Sequence, residues 1–259
     1  MISTMSVKDK TLRAVKVGSS FAVAIAVWQI AAMAIGHTVL LASPVEVLVR
    51  LLGLLFEKET YSVLFYSLTR ILLGFFLGLV VGSAAAVVAS RFEIVKNLLF
   101  PYMITVRSVP VASFIVLALV WLEAAELSTF ISFLIVLPVI YNSLLGALEA
   151  MDRVLDEMAM VFHLSLWHRM RYVWIPQIRA ALLASCSTAV GLAWKSGVAA
   201  ELIGLADGSI GDELYSAKLY LDTPTLFAWT VLIVAASLAS EKLIVWLLRL
   251  ALTKRRAHA

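Results

Sequence analysis

Five residues within long apolar stretches are the first candidates for chemistry: Arg107, Ser108, Trp194, Lys195 and Glu201. If these stretches cross a membrane, a charge at the bilayer centre costs about 2.5–3.5 kcal/mol or more, so it normally faces water or protein. Lys195 could attract an anion, and the indole of Trp194 could stack on an aromatic or cationic solute. Alternatively, Lys195 has a structural partner. Glu201 is six residues away, which is a poor spacing for a direct pair on one helix.

Other kinds of chemistry have no matching motif in the sequence. A phosphate-binding G-x-x-x-x-G-K-[ST] loop is missing, because the string from Gly191 to Lys195 and Ser196 lacks the second glycine. Neither G-x-S-x-G nor H-E-x-x-H occurs, and no metal-ligand spacing links the histidines His37, His163, His168 and His258. We therefore expect no catalytic residues, no metal and no ATPase activity in this chain. A membrane enzyme with a catalytic loop is the alternative, but it lacks an acid–base set.

The composition predicts an all-α integral membrane protein. Hydrophobic residues make up 62% of the 259 residues and charged residues 15%, with a mean hydropathy of +0.98. Soluble domains carry about 45–50% apolar and about 25% charged residues. The apolar runs are long enough for helical spans, whereas barrel strands alternate in short segments. The net charge of +4 indicates charged cytoplasmic margins, not nucleic-acid binding. A single cysteine, Cys186, excludes an intrachain disulfide.

Six apolar segments predict six transmembrane helices, and two shorter segments lie between them. Pro101, Arg107 and Pro110 predict a kink or break in the third span. The amphipathic segment Pro44–Phe56 suits an interfacial helix, and Asp207–Asp222 reads as a polar loop. The predicted spans are residues 17–35, 64–89, 98–121, 127–148, 178–205 and 224–252.

The distribution of lysine and arginine predicts the orientation. The segments on the side of the two termini carry 14 of these residues, and the opposite loops carry 3. The positive-inside rule therefore places both termini and the long polar connection between spans four and five in the cytoplasm. This gives a tail at 1–16, a six-span domain at 17–252 with a cytoplasmic loop at 149–177, and a tail at 253–259.

Three glycines in the second span predict a close helix contact. Gly74, Gly78 and Gly82 are four residues apart and share one helix face. Small residues let helix backbones approach each other in lipid, either within one chain or between subunits.

The polar connection itself predicts two short amphipathic helices. Asp152 can cap the first helix and Ser165 the second. Each is too short to be stable alone, so both must pack on other parts of the chain or on a partner.

At this point the sequence resembles a known family. Glu157-Met158-Ala159, then His163, then Ile175-Pro176 follow the spacing of the EAA loop, the signature of permease subunits of bacterial ATP-binding-cassette importers. The run from Gly191 to Gly204 and the run Gly208–Gly211 resemble the nitrate/sulfonate/taurine branch. Two positions depart from the pattern. Met158 replaces an alanine, and His163 replaces a glycine. If that glycine turns in the left-handed region, histidine is among its better-tolerated substitutes.

The resemblance implies a permease in the bacterial plasma membrane that works by alternating access. Asp156 to Ala159, with His163, Ile175 and Pro176, would form a coupling loop that docks on an ATPase, and Pro176 would end the loop. The implied partners are a second copy of the chain, two cytoplasmic ATPase subunits that hold ATP and magnesium, and an external binding protein. This chain itself needs no cofactor. The solute would be a small anion such as a sulfonate, nitrate or bicarbonate, or alternatively a vitamin-like heteroaromatic compound.

Overall fold

The helices follow the apolar segments of the sequence. The computed structural model describes residues 7–253, and every regular element in that range is a helix. Residues 1–6 and 254–259, which belong to the predicted tails, lie outside the described residues. The described elements are α1 (Val7–Ile35), α2 (Pro44–Phe56), α3 (Lys58–Arg91), α4 (Glu93–Ser108), α5 (Val111–Ala118), α6 (Ala124–Glu149), α7 (Arg153–Val161), α8 (Leu166–Arg169), a π-helical turn (Met170–Trp174), α9 (Ile175–Gly204), α10 (Ile210–Leu219) and α11 (Thr223–Thr253).

Five of the described helices are long and apolar enough to cross a membrane, and α4 with α5 would make a sixth span. This pair is bent by 102°. The break falls at Val109, which is extended with φ −79° and ψ 135°, because the ring of Pro110 disfavours helical backbone in the residue before it. Pro101 lies inside α4 without ending it. The expected break in the third span is thus present at Pro110.

The three glycines of α3 pack against α6. A Cβ atom at Gly74 would lie 2.3 Å from the carbonyl oxygen of Thr129, and one at Gly78 would lie 2.7 Å from the side chain of Val136. At Gly82 the nearest atom would be the carbonyl oxygen of Leu137, at 2.8 Å. No side chain fits at these positions, so the glycines permit backbone contact within one chain.

The short helix α5 contributes to a core shared with α6 and α9. Ile115 of α5, Leu127 and Ile131 of α6 and Ala200 of α9 are all fully buried together. The sharp bend after α4 therefore lets α5 cover these two helices.

The chain divides into two compact units, and the smaller contains Ser216–Leu232 with the described residues up to Lys58. Within that unit, α2 begins with a capping box, in which Ser43 and Glu46 satisfy each other's backbone N–H groups. Arg50 donates to Thr225 Oγ1 at 2.8 Å and pairs with Glu57 at 2.8 Å. The charged side chains of the predicted interfacial helix therefore bind groups within the same unit.

The polar segment Asp207–Asp222 is not a loop, because α10 occupies Ile210–Leu219. Ser209 Oγ accepts a hydrogen bond from the N–H of Asp212 at 3.1 Å, and the Asp212 carboxylate accepts one from the N–H of Gly208 at 3.1 Å. These local caps start a helix that the polar composition of the segment concealed.

Candidate functional site

The loop at 149–177, called the 149–177 loop below, forms two helical pieces joined by a tight turn. Asp152 caps α7 by accepting a hydrogen bond from the N–H of Val154 at 2.9 Å. At the other end His163 has φ 51°, which is the left-handed region. The N–H of His163 donates to the carbonyl of Met160, and that of Leu164 donates to the carbonyl of Ala159. This pair of hydrogen bonds is a Schellman motif, in which His163 takes the place of the usual glycine.

A carboxylate clamp holds the two halves of the 149–177 loop together. Asp156 of α7 accepts hydrogen bonds from the guanidinium of Arg169 at 2.7 and 3.3 Å and from Trp174 Nε1 at 2.8 Å. These hydrogen bonds, Arg169 first, hold the pKa of Asp156 below its ordinary value, although partial burial acts in the opposite direction. Asp156 is therefore charged at neutral pH and serves as the central acceptor of the clamp.

The clamp also contacts the end of a predicted span. The guanidinium carbon of Arg91, the last residue of α3, lies 4.5 Å from the ring centroid of Trp174. Nearby, Lys96 of α4 pairs with Glu149 at the end of α6, at 2.6 Å. The clamp thus contacts α3 through a cation–π interaction.

A cavity of about 570 Å³ lies beneath α7 and is lined by the ends of α3 and α6. The Glu157 side chain is exposed and lines this cavity, whereas Ala159 is buried at 3% exposure. Glu157 and Ala159 therefore both lie in α7, on different surfaces.

The outer surface of the 149–177 loop is apolar and unpartnered within the described chain. Its large exposed side chains include those of Val154, Leu155, Met158, Val161, Phe162, Leu166 and Trp167. Phe162 is 71% exposed, and Trp167 is 65% exposed. Exposed apolar side chains concentrated in one short segment are typical of a protein–protein interaction site.

The second half of the 149–177 loop continues into α9 without a break. The expectation that Pro176 ends the loop before a separate span therefore differs from the structure, in which Pro176 is the second residue of α9. Proline has no N–H and its ring crowds the preceding turn. The π turn Met170–Trp174 accommodates the proline ring and its missing N–H. In this turn the N–H of Ile175 donates to the carbonyl of Met170, five residues back.

One partly exposed face of α9, between Ala184 and Leu202, carries a single charge. Its positions follow helical spacing and are Ala184, Thr188, Gly191, Lys195, Ala199 and Leu202. Five of the six are small or apolar, and Lys195 is the exposed charged residue among them. An exposed lysine amid such neighbours on a membrane-spanning helix faces either water or another subunit.

The structure separates the other intramembrane candidates from Lys195. Trp194 is 1% exposed and Glu201 is fully buried. Neither lies on the open face of α9, so the indole cannot stack on a solute there in this conformation. Arg107 and Ser108 are both exposed at the end of α4, just before the bend.

Glu201 has a structural partner that the sequence interpretation missed. Its Oε2 accepts a hydrogen bond from Ser67 Oγ at 2.8 Å, and Ser67 Oγ accepts one from the N–H of Ile210 at 3.0 Å. A Cβ atom at Gly211 would lie 2.4 Å from that of Glu201, so the start of α10 packs directly on α9 at Glu201. Glu201 thus ties α3, α9 and the start of α10 together. In the sequence, Gly211 of the run Gly208–Gly211 was the available signal for this close contact with Glu201.

The comparison with known proteins decides the family. Residues 60–257 match the binding-protein-dependent transport system inner membrane component family. The chain belongs to this family. A probable ABC transporter permease protein of Brucella melitensis is 31% identical over 228 residues, which cover 87% of this chain and 91% of that protein.

Two further relatives have more specific names. The putative aliphatic sulfonates transport permease protein of Bacillus subtilis is 29% identical, over 82% of this chain and 77% of that protein. The nitrate import permease protein of a Synechocystis species is 27% identical, over 77% of this chain and 76% of that protein. The chain is therefore a multi-pass membrane permease subunit of an ABC importer of the nitrate/sulfonate/taurine type, a transporter component and not an enzyme.

Proposed function

We propose that this permease forms the translocation path for a small anion and that two copies enclose the path. An external binding protein would deliver the anion, and two cytoplasmic ATPase subunits, which hold ATP and magnesium, would drive alternating access. The domain limits proposed from the sequence, residues 17–252 with the 149–177 loop, fit this division of labour.

The observation that carries the proposal is Lys195. Its ammonium is the one charge on the open, small-residue face of α9. A face of this kind leaves room beside the helix, and the low-dielectric surroundings strengthen the attraction of a cation for an anion. Lys195 would therefore favour an anionic group at the level of the membrane core.

The relatives agree with an anionic solute. The names of the two more specific relatives state aliphatic sulfonates and nitrate, both of which are negatively charged. The heteroaromatic alternative depended on Trp194 as a stacking platform, and Trp194 is buried. The present geometry therefore supports the anion better.

The 149–177 loop would dock on the ATPase through its exposed apolar surface. ATP is available on the cytoplasmic side of the membrane, so a loop that docks on the ATPase must be cytoplasmic. The excess of lysine and arginine on the same side supports that orientation, with both termini cytoplasmic. The ATPase would push on α7, and the Asp156 clamp would pass the movement to α3 and α9.

The test is uptake into proteoliposomes that contain the permease with its ATPase and binding protein. Lys195→Ala should raise the KM for the anion at least tenfold, because a hydrogen bond to a charged group contributes about 1.5–3 kcal/mol. Lys195→Arg should restore most of the affinity. Lys242→Ala, which removes another exposed lysine from a membrane helix, is the matched control and should leave KM unchanged.

Assembly is measured in parallel as ATPase activity in the absence of binding protein, which Lys195→Ala should preserve. An unchanged KM in an assembled Lys195→Ala complex would show that Lys195 does not contact the solute.

A further inference from the structure

A groove of about 700 Å³ between α3 and α6 has a charged end and an apolar wall. Arg70 of α3 and Glu123 and Glu126 at the start of α6 line the charged end. Leu73 and Leu77 are among the residues that line the apolar wall. The groove is distant in the chain from the 149–177 loop, and neither it nor its charges have a part in the transport path proposed above.

The cation at the charged end is held in a fixed position. The guanidinium carbon of Arg70 lies 3.9 Å from the ring centroid of Tyr66, and its backbone carbonyl accepts a hydrogen bond from Thr129 Oγ1 at 3.1 Å. The ring contact restricts where the guanidinium can move, and the hydrogen bond holds the backbone of Arg70 against α6. Arg70 is also half-buried, so water solvates its charge less well than it would at the surface.

The carboxylates at the charged end do not neutralise Arg70. Glu123 and Glu126 are exposed, and among residues 7–253 no ion pair within 4.0 Å joins either of them to Arg70. Opposite charges therefore line one space without touching each other. A ligand that carries both an anionic and a cationic group would complete both sets of contacts.

The apolar wall runs away from the charged end along both helices. Leu73 and Leu77 follow Arg70 by three and seven residues, so they continue its face for about 10 Å at 1.5 Å per residue. Phe130 and Phe133 follow Glu126 in the same way on α6. Leu73 is 54% exposed, Leu77 45% and Phe130 38%. This order, from charged to apolar, is that of a phospholipid from its headgroup to its acyl chains.

We propose that this groove binds one phospholipid with a zwitterionic amine headgroup, phosphatidylethanolamine. Its phosphate accepts hydrogen bonds from Arg70, and its ammonium donates to Glu123 and Glu126. The acyl chains lie along Leu73, Leu77 and the α6 phenylalanines. A lipid such as phosphatidylglycerol, which has a phosphate and no amine, satisfies Arg70 alone and leaves two carboxylates beside its negative charge.

The test is native mass spectrometry of the full-length permease purified with its partner subunits, delipidated in detergent and supplied with equal amounts of the two lipids. Phosphatidylethanolamine should be retained at one per permease and preferred at least tenfold. Arg70→Gln removes the contact with the phosphate that both lipids share, so this variant should retain less of either lipid. Glu126→Gln should abolish the preference. Lys242→Gln, at another exposed cation of a membrane helix, should leave it intact.

Two further arms separate the possible occupants. Water-soluble glycerophosphoethanolamine, which has the headgroup without acyl chains, should not displace the lipid, since it makes no contact with the apolar wall. Cross-linking from the Leu77→Cys variant should capture lipid and no second copy of the chain. Equal retention of both lipids by the unmodified protein, displacement by the soluble headgroup, or a second copy over the groove would each overturn the proposal. Equal retention of the two lipids is measured on the unmodified protein, so that result does not depend on whether any variant folds.

Discussion

Replacing Asp156 with alanine removes the acceptor that joins the two halves of the 149–177 loop. The carboxylate accepts two hydrogen bonds from Arg169 and one from Trp174. The side chains are 13% exposed for Arg169 and 21% exposed for Asp156, so solvent screens the ion pair less than at an open surface. We expect the loop of the Asp156→Ala variant to open more often while the helical bundle stays folded.

The magnitude follows from the contacts. A hydrogen bond to a charged group contributes about 1.5–3 kcal/mol, and neighbouring bonds to one carboxylate are not additive. A loss of about 2 kcal/mol for the whole clamp corresponds to a roughly thirtyfold increase in the opening equilibrium. Trp174→Phe removes one donor while keeping a ring beside Arg91, so its effect should be smaller.

Amide hydrogen exchange of the loop, measured in detergent or nanodiscs, reports that opening equilibrium directly. The decisive comparison is a double-mutant cycle of Asp156→Ala with Arg169→Ala. The double variant should be little more open than either single variant, because both remove the same interaction. If the two effects simply add, the clamp contributes nothing and this account of the loop is refuted.

The pH dependence gives a second check on the clamp. The pKa of Asp156 is lower in the folded loop than in the unfolded chain, so the stabilisation is complete at neutral pH. It should be lost as the pH falls through the folded-state pKa. The protection of the loop amides, taken relative to their intrinsic exchange rates at each pH, should then fall towards that of Asp156→Ala. The variant lacks this group and should not show the same transition.

Three further predictions concern other residues. Phe162→Glu should abolish co-purification of the ATPase. The control Phe92→Glu, which changes an aromatic side chain that is 61% exposed outside the loop, should not. If both variants still co-purify with the ATPase, docking at Phe162 is excluded. His163→Gly should relieve the left-handed strain of about 1–2 kcal/mol and slow exchange of the turn amides roughly fivefold or more, and faster exchange would contradict that reason. Gly74→Ala should lower the thermal unfolding temperature well below that of Gly146→Ala, because a Cβ meets a backbone oxygen at the first position and nothing within 4 Å at the second; equal temperatures would contradict close α3–α6 packing.

The spans and the turn of the 149–177 loop were predictable because their signals are local. Runs of apolar residues determine where helices cross lipid, and the distance from Ala159 to His163 determines where α7 ends. The left-handed conformation expected at His163 is present, with φ 51°. The break before Pro110 also follows from one residue and its ring.

The clamp and the buried carboxylate were not predictable in the same way. Asp156 and Arg169 are thirteen residues apart, and Ser67 lies 134 residues before Glu201. Which donor reaches which carboxylate depends on how the helices pack, and no spacing rule connects such positions. Likewise, Trp194 and Lys195 are adjacent in the sequence, but the packing of α9 decides that Trp194 is buried and Lys195 is exposed.

The π turn makes the second half of the loop and the fifth span one helical rod. Residues Leu166–Gly204 form a stretch of 39 residues, which is about 58 Å long at 1.5 Å per residue. Such a rod behaves as a lever, so a displacement at Trp167 changes the tilt of the segment that carries Lys195. The π turn also sets the phase of the rod, because each residue rotates a helix by roughly 100°. Deleting one residue from Met170–Trp174 would rotate the docking surface about the helix axis relative to Lys195. No side chain of the docking surface or of the α9 face would change.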